Sequence, residues 1–192
     1  MGEKCCGNPF CEFLDQETKS WLCDHITVTY ETPKQIQQNR WNRQLEVVTE
    51  GVLVKYMVLQ NGGLQFVEIL GPGSILGEHN LFKVRDYPEY ETIALTKVGR
   101  CHLPIQIAEQ IYNENKEFAK VLVNSLISQR NQNHTFRLNL QSKNNTEKIE
   151  FILSFLSNLG VEEHNITQDI LALILGISRV TVSRALHKTR LK

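Results

Sequence analysis

The end of this chain gathers side chains that can grip phosphate and read base edges. From Ser178 to Lys192 it carries Arg179, Arg184, Lys188, Arg190 and Lys192 and no acid, interleaved with Val180, Thr181, Ser183 and His187. Arginine's two-pronged head matches guanine O6 and N7. Serine and threonine reach bases or phosphates, and an apolar side chain such as Val180 can pack on a thymine methyl. Helical spacing sorts the set by face. Val182, Ala185 and Leu186 share one side, which leaves Arg179, Val180, Ser183, Arg184 and His187 on the other. The expected partner is double-stranded DNA, lying in contact with an exposed basic helix.

A second set of residues has redox or metal chemistry. The chain has five cysteines, Cys5, Cys6, Cys11, Cys23 and Cys101, four of them near the start. A thiol–disulfide pair needs only two, and Cys5, Cys6 or Cys11 can be written as the partner of Cys101. Zinc on Cys5, Cys6, Cys11 and a histidine lacks the paired Cys-x-x-Cys such sites use. Inert thiols are the remaining reading, and Cys23, on an apolar helical stretch, is expected in the core. No nucleophile–base pair, phosphate loop or His-Glu metal motif is present in the sequence, so no catalytic activity is expected.

The basic helix needs a frame. Thr167 is placed to cap a preceding helix, with Asp169 in its first turn where the helix dipole favours an anion. Gly176 stops that helix, Ser178 caps the next, and small Ala172 allows close approach, so a helix-turn-helix is expected. Leu171, Ile174 and Leu175 would pack against the second helix. Upstream, Asn144 or Asn145 caps a helix with an apolar stripe of Ile149, Ile152, Leu153, Leu156 and Leu159 that ends at Gly160, giving a three-helix unit.

Before that unit the period changes twice. From Val28 to Leu103 short β-branched runs alternate with turn signals, among them Asn61-Gly62-Gly63 between two strand-like stretches, as in a small barrel or jelly roll. Pro104 opens a helix. A long helix then runs from Lys116 to Leu140, with Phe118, Val121, Leu122, Ser125, Leu126, Gln129, Asn133, Phe136 and Leu140 near heptad spacing. Such a stripe wants a partner, and a second copy of the chain is the simplest one.

Bulk numbers set the bounds. The chain has 192 residues and a formal net charge of zero, so its basic end is a local feature in a neutral molecule. No apolar run is long enough to span a bilayer, and Met1-Gly2-Glu3-Lys4-Cys5-Cys6-Gly7 is neither a signal peptide nor a complete acylation signal. A cytoplasmic protein with no membrane partner is expected.

Barrel, long helix and helix-turn-helix, in that order, resemble the CRP/FNR superfamily of bacterial transcription regulators. The most specific pieces are Gly71-Pro72-Gly73-Ser74-Ile75-Leu76-Gly77-Glu78 and Leu175-Gly176-Ile177-Ser178-Arg179-Val180-Thr181-Val182-Ser183-Arg184. The resemblance implies an α+β chain. Residues 1–103 would be an N-terminal β-roll (jelly-roll, cyclic-nucleotide-binding-like) sensor domain with a cysteine-rich arm. Residues 104–141 would be connecting and dimerisation helices, and 142–192 a helix-turn-helix domain of winged-helix type. It also implies a homodimer on a near-palindromic site, with Thr167, Ser178, Arg179, Val180, Thr181, Ser183, Arg184, His187 and Lys188 at the DNA and RNA polymerase as a further partner.

Three departures shape the expectation. Cyclic-nucleotide-binding members follow the Gly-Glu pair with Arg-Ser or Arg-Thr, whereas here Gly77-Glu78 leads into Asp86, Glu89 and Glu91, so cAMP is not expected. Val180 stands where many members carry glutamate, which shifts the base code. The sequence ends at Lys192, where members continue into a wing, so the wing is expected to be missing. FNR-type sensors hold a [4Fe–4S] cluster on N-terminal cysteines and one at the position of Cys101. Cys5, Cys11 and Cys101 match part of that set, with Cys6 as the stand-in, so a cluster, a disulfide or neither stay open as the signal device. The rival function is a cysteine-based redox or Fe–S sensor whose helix-turn-helix acts by protein contact.

Overall fold

The computed structural model describes residues 9–38 and 43–190. Eight strands form two four-stranded antiparallel sheets. One joins β1 (Thr27–Glu31), β8 (Val98–Pro104), β3 (Gln44–Glu50) and β6 (Ile75–Leu76) in that order. The other joins β2 (Ile36–Gln38), β7 (Tyr90–Ala94), β4 (Leu53–Val58) and β5 (Leu64–Leu70). The expected hairpin lies between β4 and β5. Gly62 takes φ +76°, Leu59 N–H donates to the Gly63 carbonyl at 2.8 Å, and Val58 faces Leu64. Val48, Leu53, Leu70, Leu76, Tyr90, Ala94 and Val98 meet between the sheets and close a barrel-like body.

Its alternation is inverted in places. Along β8, Arg100 and His102 are buried with the interior charges, while Cys101 and Leu103 face outward into a helical layer. Lys55 is likewise buried in β4 between Val54 and Tyr56. Both outer faces are covered, so apolar residues line the outside of the sheets as well. The first sheet is covered by α1 (Pro9–Glu12), α2 (Gln16–His25), α4 (Ile105–Glu114) and the start of α5 (Lys116–Gln141), through Phe10, Leu22, Ala108, Phe118 and Leu122. The second carries Val52, Val54 and Leu95 into one core with the C-terminal helices. A short helix α3 (Glu78–Leu81) follows β6.

The stripe on α5 expected to face a second copy is satisfied within the chain. Phe118, Val121 and Leu122 join the core over the first sheet. One turn after another, Gln129, Asn133 and Arg137 hydrogen-bond to β5 and β6. Phe136 meets Phe66, Phe151 and Phe155 with ring centroids 5.9, 5.6 and 4.9 Å away. Heptad spacing marks a face that must be covered but not what covers it. The opposite side of α5 exposes Val123, Ile127 and Leu138.

The C-terminal helices are α6 (Asn145–Asn158), α7 (Gln168–Leu175) and α8 (Arg179–Arg190). Asn144 and Glu147 form a capping box on α6, each side chain bonding the other's backbone N–H. Gly160 ends this helix at φ +79°, and Val161 N–H returns to the Leu156 carbonyl at 3.0 Å. Among the described residues, no single helix is long and apolar enough to cross a membrane.

Candidate nucleic-acid interface

The geometry of α8 is set by its turn. Thr167 Oγ1 accepts from Ile170 N–H at 3.3 Å and starts α7. Gly176, at φ +64°, ends it, with Ile177 N–H bonding back to Ala172 and Gly176 N–H to Leu173, a paired closure that spares the last carbonyls. Ser178 Oγ then accepts from Thr181 N–H at 3.2 Å and starts α8. The two helices meet at 110°. That angle suits a helix pair in which the first holds the second out from the body.

Burial sorts α8 as its spacing requires. Val182 and Ala185 are buried at 0% and 6% exposed, against Leu171 and Ile174 of α7 and the stripe of α6. Arg179, Val180, Arg184 and His187 are exposed, and Ser183 is half-buried at the edge of that face. Val180 is 58% exposed, an isolated apolar tip among cations. Arg179 reaches Asp169 of α7 at 3.6 Å, but both side chains are more than 60% exposed, so the pair adds little to stability. The Thr167 hydroxyl is engaged in the cap of α7 and that of Ser178 in the start of α8, where it also bonds the Thr181 hydroxyl at 2.9 Å. The side chain of Lys188, like Cys5 and Cys6, lies outside the described residues.

The interior of the barrel-like body is occupied by charge that the sequence reading did not single out. Lys55 Nζ donates to Glu68 Oε1 and to Tyr87 Oη, each at 3.1 Å, and sits 4.3 Å above the Tyr90 ring. Burial alone would lower the Lys55 pKa, but the Glu68 and Glu78 carboxylates outweigh it and hold the value above the ordinary lysine range. Tyr87 Oη also donates to Glu78 Oε1 at 3.3 Å, and its ring stacks on His79 at 4.1 Å. Gln129 of α5 joins this group by donating to Glu68 Oε2 at 3.2 Å. The side chain of Glu78 is therefore engaged by the chain's own tyrosine, and Arg85 is exposed.

A second buried group surrounds Arg100. It donates to Glu46 at 2.9 Å, Glu31 at 3.1 Å and Thr92 at 2.7 Å, so one guanidinium ties β1 and β3 to β7 of the opposite sheet. Burial pushes the Glu31 carboxyl up despite Arg100. It pushes His102 down, beside Glu46 at 3.8 Å and Thr29 at 2.7 Å. The only sequence signal for this layer was two polar residues, Arg100 and His102, at strand period in an otherwise apolar run.

Of the cysteines, Cys11 and Cys101 are brought together and Cys23 is half-buried at the edge of the same core. A [4Fe–4S] cluster needs four ligands. Two of the four candidate ligands, Cys11 and Cys101, line one void of about 30 Å³, and the other two, Cys5 and Cys6, lie outside the described residues. Among the described residues there is no group of three His, Cys, Asp or Glu side chains that could hold a metal ion.

No protein-family model matches the sequence, and no curated protein matches it. Solved structures do. The chain is similar to a CRP/FNR-family transcriptional regulator from Eubacterium rectale, with TM-score 0.75 at 18% identity, covering 95% of this chain and 87% of that one. It is similar to CLP, the c-di-GMP responsive global regulator of Xanthomonas campestris, with TM-score 0.70 at 16% identity and 92% of each chain covered. A CRP-family transcriptional regulator from Thermus thermophilus gives TM-score 0.69 at 19% identity over 84% of each chain. At these identities the likeness is one of fold.

Proposed function

We propose that this chain, which has the fold of the CRP/FNR transcriptional regulators, is a sequence-specific DNA-binding regulator that reads a near-palindromic site as a homodimer. The observation that carries this reading is α8. It is held at 110° to α7, its apolar side is buried, and its open side shows Arg179, Val180, Arg184 and His187 with no acid. Phosphate contacts would come from the cations around the helix, and base contacts from Arg179, Arg184 and the Val180 methyls.

The homodimer would form along the outward side of α5, where Val123, Ile127 and Leu138 are 38%, 53% and 50% exposed around His134. Two copies related by a two-fold axis place two α8 helices for half-sites one turn of DNA apart, about 34 Å. RNA polymerase is a further partner on this reading, and a cytoplasmic location follows from it. The filled interior around Lys55, Glu68, Glu78 and Tyr87 supports a signal other than a cyclic nucleotide.

Selection of bound duplexes from a random pool tests the reading. The expected result is an inverted repeat whose affinity falls steeply as salt rises, because phosphate contacts release counterions. Recovery of no preferred sequence at any salt would overturn it and favour protein contact as the role of α8.

A further inference from the structure

The turn between β4 and β5 holds a reactive pair. Asn61 is followed by Gly62, and an asparagine side-chain amide can be attacked by the backbone nitrogen of the next residue. A Cβ on that next residue crowds the approach, and glycine has none. Of all the asparagines in the chain, Asn61 is the one that precedes a glycine.

The folded turn brings the two groups together. Asn61 Oδ1 accepts from the Gly63 N–H at 3.0 Å. That bond folds the side chain back over the Gly62 peptide and draws electron density from Cγ. Gly62 takes φ +76°, and a Cβ built there would meet nothing within 4 Å, so the peptide is open on that side. Leu59, Gln60, Asn61 and Gly62 are all exposed. The Gly62 N–H donates to the Leu59 carbonyl at 2.8 Å, and this bond must open before the nitrogen reacts. It is one bond at a hairpin tip whose β5 lies at the edge of its sheet, so the opening is local.

We propose that Asn61 is a deamidation site of this chain, where the amide is lost and isoaspartate or aspartate takes its place. The Gly62 nitrogen gives its proton to solvent base and attacks Asn61 Cγ. The new bond closes a succinimide ring, the Cγ–Nδ2 bond breaks, and the side-chain nitrogen takes up a proton and leaves as ammonia. Water then opens the ring. Attack at Cγ restores the ordinary backbone with aspartate, and attack at the backbone carbonyl leaves the chain running through the side chain as isoaspartate. One water enters, one ammonia leaves, and nothing is oxidised or reduced.

The consequence falls on the hairpin. Either product puts a carboxylate beside exposed Leu59 and Leu64. Isoaspartate also adds a backbone carbon to the turn. The Leu59–Gly63 and Gly62–Leu59 bonds there fix the pairing of Val58 with Leu64, so isoaspartate loosens the tip while aspartate keeps its register. The site does not depend on the DNA-binding reading.

The test holds the full native chain at physiological temperature and mildly alkaline pH for several days, beside a sample unfolded in urea. Portions are digested with trypsin and read by mass spectrometry. The expected result is an amide-to-acid mass change in the peptide from Tyr56 to Lys83, placed on Asn61 by fragmentation. It should precede change at every other asparagine and quicken as pH rises, with isoaspartate, read by an isoaspartyl methyltransferase, in excess over aspartate. Gly62→Ala keeps the amide and adds only a Cβ, and it should slow the conversion severalfold. The proposal is overturned if Asn61 keeps its amide in the native chain, and conversion in the unfolded sample alone would show that the turn protects it. Earlier conversion at Asn80, Asn144 or Asn145 would overturn it equally.

Discussion

At the scale of single residues, exposure separates the proposed base contacts from the supports. Arg184 is exposed on α8, so Arg184→Ala should leave folding stability within about 0.5 kcal/mol of the parent. It should cost about 1–3 kcal/mol of specific DNA binding and relax the preference at one base pair. Equal discrimination by the variant in a competition assay would remove Arg184 from the readout. Deep in the sheets the same kind of reasoning gives a pH effect. Burial lowers the folded-state pKa of His102 below 6.5, with Glu46 and Arg100 acting as opposed smaller influences. The unfolded chain therefore takes up the proton first as pH falls below about 6.5, and stability drops from there toward the folded pKa. His79 is lowered in the same direction and adds to the loss. Urea midpoints taken from about pH 7 to about pH 5 should fall in the parent, and the fall should be smaller in His102→Gln.

Elements stand or fall on a few backbone and packing positions. Gly176 takes φ +64° in the turn before α8, and an added Cβ there would meet nothing within 4 Å. Gly176→Ala should therefore cost only the left-handed strain, about 1–2 kcal/mol by denaturant titration. Gly77 has φ +78° and its Cβ would run into the Gln44 backbone carbonyl, so Gly77→Ala should cost distinctly more than Gly176→Ala. Arg100 joins strands of both sheets. Removing it in Arg100→Leu leaves Glu31 and Glu46 buried without their counter-charge, and a loss of about 3–5 kcal/mol is expected. A loss under about 1 kcal/mol would mean that water or a neighbour takes over the two carboxylates.

The whole molecule joins its parts by shared cores and by α5. One face of α5 is locked to β5 and β6 through Gln129, Asn133 and Arg137, and its far end packs Phe136 among the aromatics of α6. A partner copy docking on α5 would use the other face. Ile127→Glu places a charge in the centre of the exposed stripe and should shift the chain toward monomer in analytical ultracentrifugation, with DNA affinity falling as cooperation between half-sites is lost. Unchanged sedimentation would move the dimer contact elsewhere.

Local structure was legible along the chain. Thr167, Gly176, Ser178, Asn144 and Gly160 mark their helix ends because capping and left-handed turns depend on one residue and its immediate neighbours. The hairpin at Asn61-Gly62-Gly63 was legible for the same reason. The exposed set on α8 followed from helical spacing once a start was fixed. What covers each face was settled by packing between distant elements. Polar Arg100, His102 and Lys55 lie inside and apolar Cys101 and Val54 outside, because helices cover both sheets and opposite charges from distant strands meet between them. The stripe on α5 turned inward for the same reason, and Cys11 met Cys101 because α1 closes over the first sheet. Contacts between residues far apart in the chain are set by which surfaces bury each other, and periodicity within one segment carries no record of that choice.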